Sequence, residues 1–502
     1  MSFPGDMGNK HSKSPPKDDY SPAPVILDCP KSVKNPQQNE SKSKEKEAEE
    51  ELYYPQYTKF IRALSVGAGF QSLDSPVCKQ TNQELKYNFQ KNIKKTVLKI
   101  YTENDPIFKR CLGGILVAFY GDATGAFCEF SKPNTKNYKS IFGSHNVFGN
   151  PKGQVTDDSE MAMSMAYGIM DNPDLGHINS AYNYYYYGLW YNSMPSDVGC
   201  TTRVALKFFG VDNYVPPKVD FEGRYLRLFK AANYGSKSNG FLMRFSPFIA
   251  WYYYTHEINV LQILGDKSKE LNMNSLSVMY DDIKKEAQKD NQCTHTNYEL
   301  PAASAFYTIL GLMGICGYDN KEMLENLEKI VNYFLQNQSQ LKTDIEIMKL
   351  IKGTIADIKQ APNLDQWDYF TKVYPVHKSM GYYGHGIKLL IYYLAKLDDY
   401  KSDGDASWFR HIMNEVCNFG GDTDTNGAII GGVLGTIRGY DDLGDEFDVM
   451  LNNTPKMKLL YTPAVMYYYV DYLRKSKDKE ICGSFAVGKL FEELIAPVNK
   501  CN

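Results

Sequence analysis

From about Glu84 onward, apolar residues recur every three or four positions with polar residues between them, the spacing of a helix with one buried face. In ELKYNFQKNIKKTVLKIY the lysines occupy the face opposite the apolar one. Phe108 to Glu129 (FKRCLGGILVAFYGDATGAFCE) is apolar almost all round, and Gly113, Gly114, Gly121 and Gly125 suit a close helix-on-helix approach. Helical spacing returns in SEMAMSMAYGIM, AYNYYYYGLWYN, TTRVALKFFG, FLMRFSPFIAWYYY, SLSVMYDDIKKEAQKD, AASAFYTILGLMGICGY, NKEMLENLEKIVNYFLQNQSQ, DIEIMKLIKGTIADIKQ, GIKLLIYYLAKL, WFRHIMNEVCNF, NGAIIGGVLGTIRGY and AVMYYYVDYLRKSKDK. Strand-like alternation is nearly absent. The pattern predicts about a dozen helices and an all-α fold, in one large domain spanning 86–478.

The ends differ. Residues 1 to about 55 are dominated by Lys, Ser, Pro, Asn and Glu. Such a segment buries too little apolar surface to offset its ordering entropy, so an N-terminal extension over 1–85 is expected to be mostly disordered. Within it FIRALSVGAGF is apolar enough to dock as a short helix. Residues 479–502 read as a C-terminal tail with one further helix. The 502 residues carry 43% hydrophobic side chains, enough for a substantial core, and a net charge of −3. That charge gives no reason to expect a nucleic-acid partner. The chain shows neither a transmembrane-length apolar run nor an N-terminal signal segment, so a cytoplasmic, membrane-free protein is expected, with a monomer as the default. Ten cysteines are present without CxxC spacing, which fits reduced core thiols better than a zinc site. The 39 tyrosines cluster as at Tyr184 to Tyr187, with few basic residues between them, and read as packing residues.

Two acidic clusters ask for an explanation. Gly420-Gly421-Asp422-Thr423-Asp424-Thr425-Asn426-Gly427 precedes the apolar run AIIGGVLGTI, and Val155-Thr156-Asp157-Asp158-Ser159-Glu160 opens SEMAMSMAYGIM. Charge beside a core segment is costly unless it meets a cation or is fully hydrogen-bonded. Thr and Asp commonly cap helix starts, and capping accounts for either cluster alone. Together they offer carboxylates and hydroxyls, the oxygen ligands of Mg2+, Mn2+ or Ca2+ rather than of zinc. The pairs Asp281-Asp282, Asp398-Asp399 and Asp441-Asp442 lie in polar surroundings and read as solvated faces. Glu129, between an apolar helix and a polar loop, is a further carboxylate placed to meet bound water or a sugar hydroxyl.

The order GDATGAFCEF, VTDDSEMAM, SNGFLMR, a Thr-His pair and GGDTDTNGAIIGG, from about Lys109 to Tyr440, resembles the ADP-ribosylglycohydrolases, the group of dinitrogenase-reductase-activating glycohydrolases and ADP-ribosyl-acceptor hydrolases. The resemblance implies an orthogonal helical domain with two Mg2+ (or Mn2+) ions in a central cleft, cleaving the bond between ADP-ribose and an acceptor. It assigns Thr156, Asp157, Asp158, Asp422, Asp424 and Thr425 as metal ligands and sets Glu129 near the metals and the scissile ribose. Asp122 would brace the helix end. Ser238, Asn239, Gly240, His295 and Tyr383 would meet the substrate, an ADP-ribosylated protein or a small ADP-ribose conjugate, and Tyr382 and His385 belong to the same cleft-lining segment. Glu129, Asp158 and Asp424 are the catalytic carboxylates, with no single base assigned among them. ADP-ribosylarginine is the favoured substrate. The alternatives are serine-linked or O-acetyl-ADP-ribose, hydrolysis of another nucleotide or glycoside, and a non-enzymatic, crystallin-like member of the fold. All six ligand positions are intact, which counts against the last.

Overall fold

The computed structural model describes residues 76–134, 149–150, 152–192, 195–207, 209, 235–337, 343–361, 365–403, 406–452, 463–476 and 486–496. All fall within the compact unit 56–502. Of the extension expected to be disordered, only 76–85 are described, and they open a helix. The helices are α1 (Pro76–Thr102), α2 (Pro106–Gly125), α3 (Asp157–Asp171), α4 (Ser180–Asn192), α5 (Cys200–Leu206), α6 (Ser246–Thr255), α7 (Glu257–Leu264), α8 (Met273–Asn291) and α9 (Leu300–Ile315). They continue with α10 (Asn320–Gln336), α11 (Ile345–Gln360), α12 (Tyr383–Ala395), α13 (Trp408–Phe419), α14 (Thr423–Arg438), α15 (Gly444–Asn452), α16 (Val465–Ser476) and α17 (Ala486–Ile495). Among the described residues there is no strand, only the isolated bridges Ser131–Gly421 and Ser238–Tyr382. The all-α expectation holds. No described helix is long and apolar enough to cross a membrane.

Two helices form the axis of the molecule. α2 starts where the Asp105 carboxylate accepts from the amides of Ile107 and Phe108, with Pro106 in the first turn. From Cys111 to its last residue α2 is buried on every side, as its all-round apolar pattern requires. Its principal partner is α14, which runs antiparallel to it: Gly113 faces Gly435, Gly114 faces Gly432, Gly121 faces Gly427 and Gly125 faces Thr423. A β-carbon at Gly113 would lie 2.5 Å from the Gly435 carbonyl oxygen, and one at Gly114 2.9 Å from that of Gly432. At Gly121 and Gly431 it would overlap the carbonyls of Gly427 and Val117. The two backbones therefore touch, and only glycine fits at these positions.

Other helices wrap this pair. Tyr307 on α9 occupies the space a side chain at Gly432 would need, and its hydroxyl donates to the Ile429 carbonyl at 3.1 Å. Gly386 on α12 lets Ile429 approach. α3 and α4 pack together, with Tyr184 and Tyr187 wholly buried, in keeping with the packing reading of the tyrosine cluster. One continuous apolar cluster runs from Ile93 on α1 to Leu494 on α17. Cys111, Cys128, Cys293 and Cys417 are buried thiols.

The seam predicts opposite outcomes for one substitution. Gly353 on α11 is exposed, and a β-carbon there meets nothing within 4 Å. Gly353→Ala should raise stability by about 0.5–1 kcal/mol through helix propensity. Gly121→Ala should lower it by about 2 kcal/mol or more, because the added carbon has only backbone to displace. Urea unfolding of the two variants measures both signs.

Candidate active site

The antiparallel seam brings the C-terminal end of α2 to the N-terminal end of α14. The turn into α14 uses Gly420 and Gly421 at φ of 72° and 87°, the left-handed region that glycine enters without penalty. Gly421 is tied to the loop after α2: its amide donates to the Ser131 carbonyl at 3.0 Å, and its carbonyl accepts from the Phe130 amide at 2.8 Å. Phe130 is itself left-handed, at φ 60°. The Thr423 hydroxyl donates to the Gly125 carbonyl at 2.6 Å. Glu129 is thereby fixed beside Asp422 and Asp424.

Asp122 draws in the third segment of this knot, the start of α3. It is fully buried. It accepts from the Thr156 amide (3.0 Å), the Thr156 hydroxyl (2.8 Å), the Ser159 amide (3.1 Å) and the Ser159 hydroxyl (2.5 Å). The helix cap therefore comes from another helix. Thr156 and Asp422 occupy the capping positions of α3 and α14, yet neither side chain caps its own helix. Capping does not account for these residues. The Thr156 hydroxyl instead meets Asp158 Oδ2 at 3.0 Å and Asp424 Oδ2 at 3.5 Å.

Carboxylate oxygens of Asp122, Asp158 and Asp424 lie within 4.8 Å of one another, as do those of Glu129, Asp422 and Asp424. The two distant acidic stretches thus meet through Asp424, and both groups are able to hold a metal ion. Asp157 accepts from the Gly199 amide at 3.2 Å and shares a carboxyl–carboxylate hydrogen bond with Asp197, which needs a proton between them. Asp158 Oδ1 and Glu129 Oε2 are buried without a hydrogen-bond partner.

Without a cation these acids resist ionisation. Burial holds Asp157, Asp158 and Asp424 well above the usual carboxylate range; the next contributions come from Asp197 for Asp157, Asp122 for Asp158 and Glu129 for Asp424. Burial, then Asp197 and Asp422, pushes Glu129 to about 10. Asp122 rises only to about 6, because its four donors offset much of the burial cost.

Facing the acids is the loop Ser238-Asn239-Gly240, held by its bridge to Tyr382. Asn239 Nδ2 donates to Asp422 Oδ2 at 2.8 Å, and a β-carbon at Gly381 would lie 3.7 Å from that oxygen. The Ser238 hydroxyl meets His295 Nε2 at 2.7 Å. Tyr383 is 1% exposed and lies edge-on to Phe241. His385 is buried too, its Nε2 2.8 Å from the Lys378 carbonyl.

The family profile described as ADP-ribosylglycohydrolase matches residues 103–456. The chain belongs to the ADP-ribosylglycohydrolase family. Over 347 residues it is 26% identical to a protein named putative ADP-ribosyl glycohydrolase L543 of Acanthamoeba polyphaga mimivirus, covering 66% of this chain and 88% of the relative. A solved structure described as an ADP-ribosylglycohydrolase-related protein complex aligns at 18% identity and a TM-score of 0.46, over 74% of this chain and all of the other. As an ADP-ribosylglycohydrolase, the chain is a hydrolase for which ADP-ribose conjugates are the expected substrates.

Of the residues singled out in the sequence, Glu129, Thr156, Asp157, Asp158, Asp422, Asp424 and Thr425 converge at one place, and Ser238, Asn239, Gly240 and His295 form the wall beside it. Sequence reasoning missed Asp197. It stands in an irregular spacer with no helical pattern, and its only signal is an acid shortly before the start of α5. It also missed the hydroxyls of Thr201 and Ser236, which contact Ser238 at 3.2 and 3.1 Å.

The wall generates a pH prediction. Burial and the charge of Arg244 hold His295 at about 3, whereas an unfolded imidazole titrates near 6.5. Below pH 6.5 the unfolded chain takes a proton that the folded chain refuses, so this contribution to stability falls as pH drops toward 3. Between pH 7 and 5 the wild type should lose about 2 kcal/mol relative to His295→Gln, measured by urea unfolding at each pH. A difference independent of pH would mean that the folded imidazole protonates freely.

Proposed function

We propose that this chain hydrolyses the N-glycosidic bond joining ADP-ribose to an arginine side chain, with two hard divalent cations, Mg2+ or Mn2+, at the acidic clusters. The observation that carries the reading is the set of buried carboxylates meeting at Asp424, with Asp158 Oδ1 and Glu129 Oε2 lacking any partner. Buried charge persists when it is paired or binds a metal, and an all-oxygen donor set fits a hard cation. Thr156, Asp157, Asp158, Asp422, Asp424 and Thr425 are the residues that would hold the ions. Asp122 already accepts four hydrogen bonds and is left to position Thr156 and the start of α3. What such ions supply when bound is positive charge for a ribose diol and for a water.

The remaining chemistry belongs to the chain. Breaking the glycosidic bond leaves positive charge on the ribose carbon, and the Glu129 carboxylate is the group assigned to face it. A water attacking that carbon passes its proton to the buried group of Glu129, Asp158 and Asp424. Asn239 keeps Asp422 oriented through its 2.8 Å hydrogen bond. The acceptor preference follows from charge. With the ions bound and the remaining acids ionised, one proton stays shared between Asp157 and Asp197, so Glu129, Asp157, Asp158, Asp197, Asp422 and Asp424 carry five negative charges against the four positive charges of two divalent ions. A surplus of negative charge there favours a guanidinium leaving group over a serine hydroxyl or an acetyl ester.

The test is release of ADP-ribose from arginine-linked and serine-linked peptides, with and without EDTA. Arginine-linked peptide should be cleaved in Mg2+ and spared in EDTA. Asp157→Asn and Asp424→Asn should each lower kcat on the order of a thousandfold while keeping helical circular dichroism. Wild-type turnover in either variant with Mg2+ present would refute the two-cation assignment. Asp197→Asn should raise KM for the arginine-linked peptide about tenfold. Faster cleavage of the serine-linked peptide by the wild type would reassign the acceptor.

A further inference from the structure

Behind the Ser238-Asn239-Gly240 loop runs a chain of hydrogen bonds that the reaction itself does not use. Arg244 and Asp290 are both fully buried and paired, with Arg244 Nε and Nη2 donating to Asp290 Oδ2 at 3.1 and 3.0 Å. Asp290 Oδ1 accepts from Asn183 Nδ2 at 2.9 Å and from the Tyr187 hydroxyl at 2.6 Å, and the guanidinium sits 4.6 Å from the Tyr187 ring centre. The guanidinium is thus clamped in one orientation. Its Nη1 donates to the Gly240 carbonyl and to the Thr294 hydroxyl, both at 2.9 Å.

A guanidinium only donates, so Thr294 accepts from Arg244 and keeps its own proton. That hydroxyl lies 2.8 Å from His295 Nδ1. Were Nδ1 protonated, the Thr294 hydroxyl would accept twice, its own buried proton would have no acceptor among the described residues, and the ring's N–H would face the charge of Arg244. The imidazole therefore accepts at Nδ1 and carries its proton on Nε2, 2.7 Å from the Ser238 hydroxyl oxygen. This tautomer matters to Ser238. In the opposite one, Ser238 would donate its only proton to Nε2. In this one it accepts from the ring and keeps that proton. Ser238, Thr201 and Ser236 form a triangle of hydroxyls at 3.0 to 3.2 Å, all partly exposed beside Gly240.

We propose that the buried Arg244–Asp290 pair is a positioning device: acting through Thr294, it fixes the Nε2–H tautomer of His295, leaves Ser238 its proton to donate to Thr201, and so frees one hydroxyl proton of the Ser238, Thr201 and Ser236 triangle for an anionic oxygen of the substrate. Resting on the proposed function, that oxygen belongs to the diphosphate of ADP-ribose. Neither Arg244 nor Asp290 touches the ligand; both act by deciding where a neutral ring keeps its proton.

The test uses the full chain with 15N-labelled histidine, and His295→Gln identifies the His295 signals. The wild type should show an unprotonated Nδ1 and a protonated Nε2. Thr294→Val preserves the buried shape but removes the hydroxyl. It should mix the two tautomers and raise the Kd for ADP-ribose in Mg2+ about tenfold by calorimetry, the loss of one hydrogen bond to a charged group. Thr294→Ser should restore both the spectrum and the affinity. A wild-type ring protonated on Nδ1, or a Thr294→Val protein that binds ADP-ribose as tightly as wild type, overturns the proposal. The wild-type spectrum needs no substitution, so it decides the tautomer even where the valine variant fails to fold. A wild type that binds no ADP-ribose would count against the proposed function, while the tautomer still decides whether the relay exists.

Discussion

Everything at the site depends on two helix backbones in direct contact. α2 and α14 meet along glycines on both sides, and no side chain separates their carbonyls at Gly121 and Gly427. Van der Waals contact of this kind is short-ranged, so it sets axial register as well as distance. Because the helices are antiparallel, that register places the last turn of α2, with Asp122 and the Glu129 loop after it, against the first turn of α14, with Asp422, Asp424 and Thr425. Asp122 then carries the constraint to a third element by capping α3 from outside. Three chain segments far apart in sequence are located to hydrogen-bond precision by a seam built largely of glycine backbone.

The acids gathered there are a liability for the folded chain. Asp157, Asp158, Asp424 and Glu129 all resist ionisation, chiefly because they are buried and next because each faces another carboxylate of the group that includes Asp122 and Asp197. Two helix N-termini, those of α3 and α14, point partial positive charge at the same spot, but each contributes on the order of 1 kcal/mol or less. That is small beside the cost of ionising several buried carboxylates together. Buried apolar surface elsewhere, continuous from α1 to α17, must supply the difference. A site that opposes its own fold is the usual mark of a site shaped for a ligand.

Much of this was legible in the sequence because it rests on local pattern. Apolar periodicity marked the helices, and glycines on an all-apolar helix announced a close approach. Two clusters of mixed hydroxyl and carboxylate at helix starts announced a common purpose. What stayed hidden was set by tertiary placement. Nothing in Thr156 as a residue says that its own helix will be capped by Asp122, since a capping threonine and a ligand threonine look alike in sequence. Asp197 lies where no periodicity exists, and its meaning comes from Asp157, to which it is hydrogen-bonded. Tyr383, assigned to the substrate through the resemblance, opens helix α12 with its ring edge-on to Phe241 and 1% exposed, a placement set by tertiary packing.

The two sides of the site therefore obey opposite rules. On the acid side, Asp158 Oδ1 and Glu129 Oε2 are left without partners, and the electrostatic deficit is the binding potential. On the Ser238 side, the path from Asp290 through Arg244, Thr294 and His295 is bonded at each step, and directionality is what it offers. An unpaired charge attracts strongly but does not orient; a fully bonded neutral chain orients but attracts weakly. A substrate carrying both a sugar to be cleaved and a diphosphate to be aligned needs one wall of each kind. The seam between α2 and α14 and the loop bridged to Tyr382 hold them in register through a shared contact, Asn239 on Asp422.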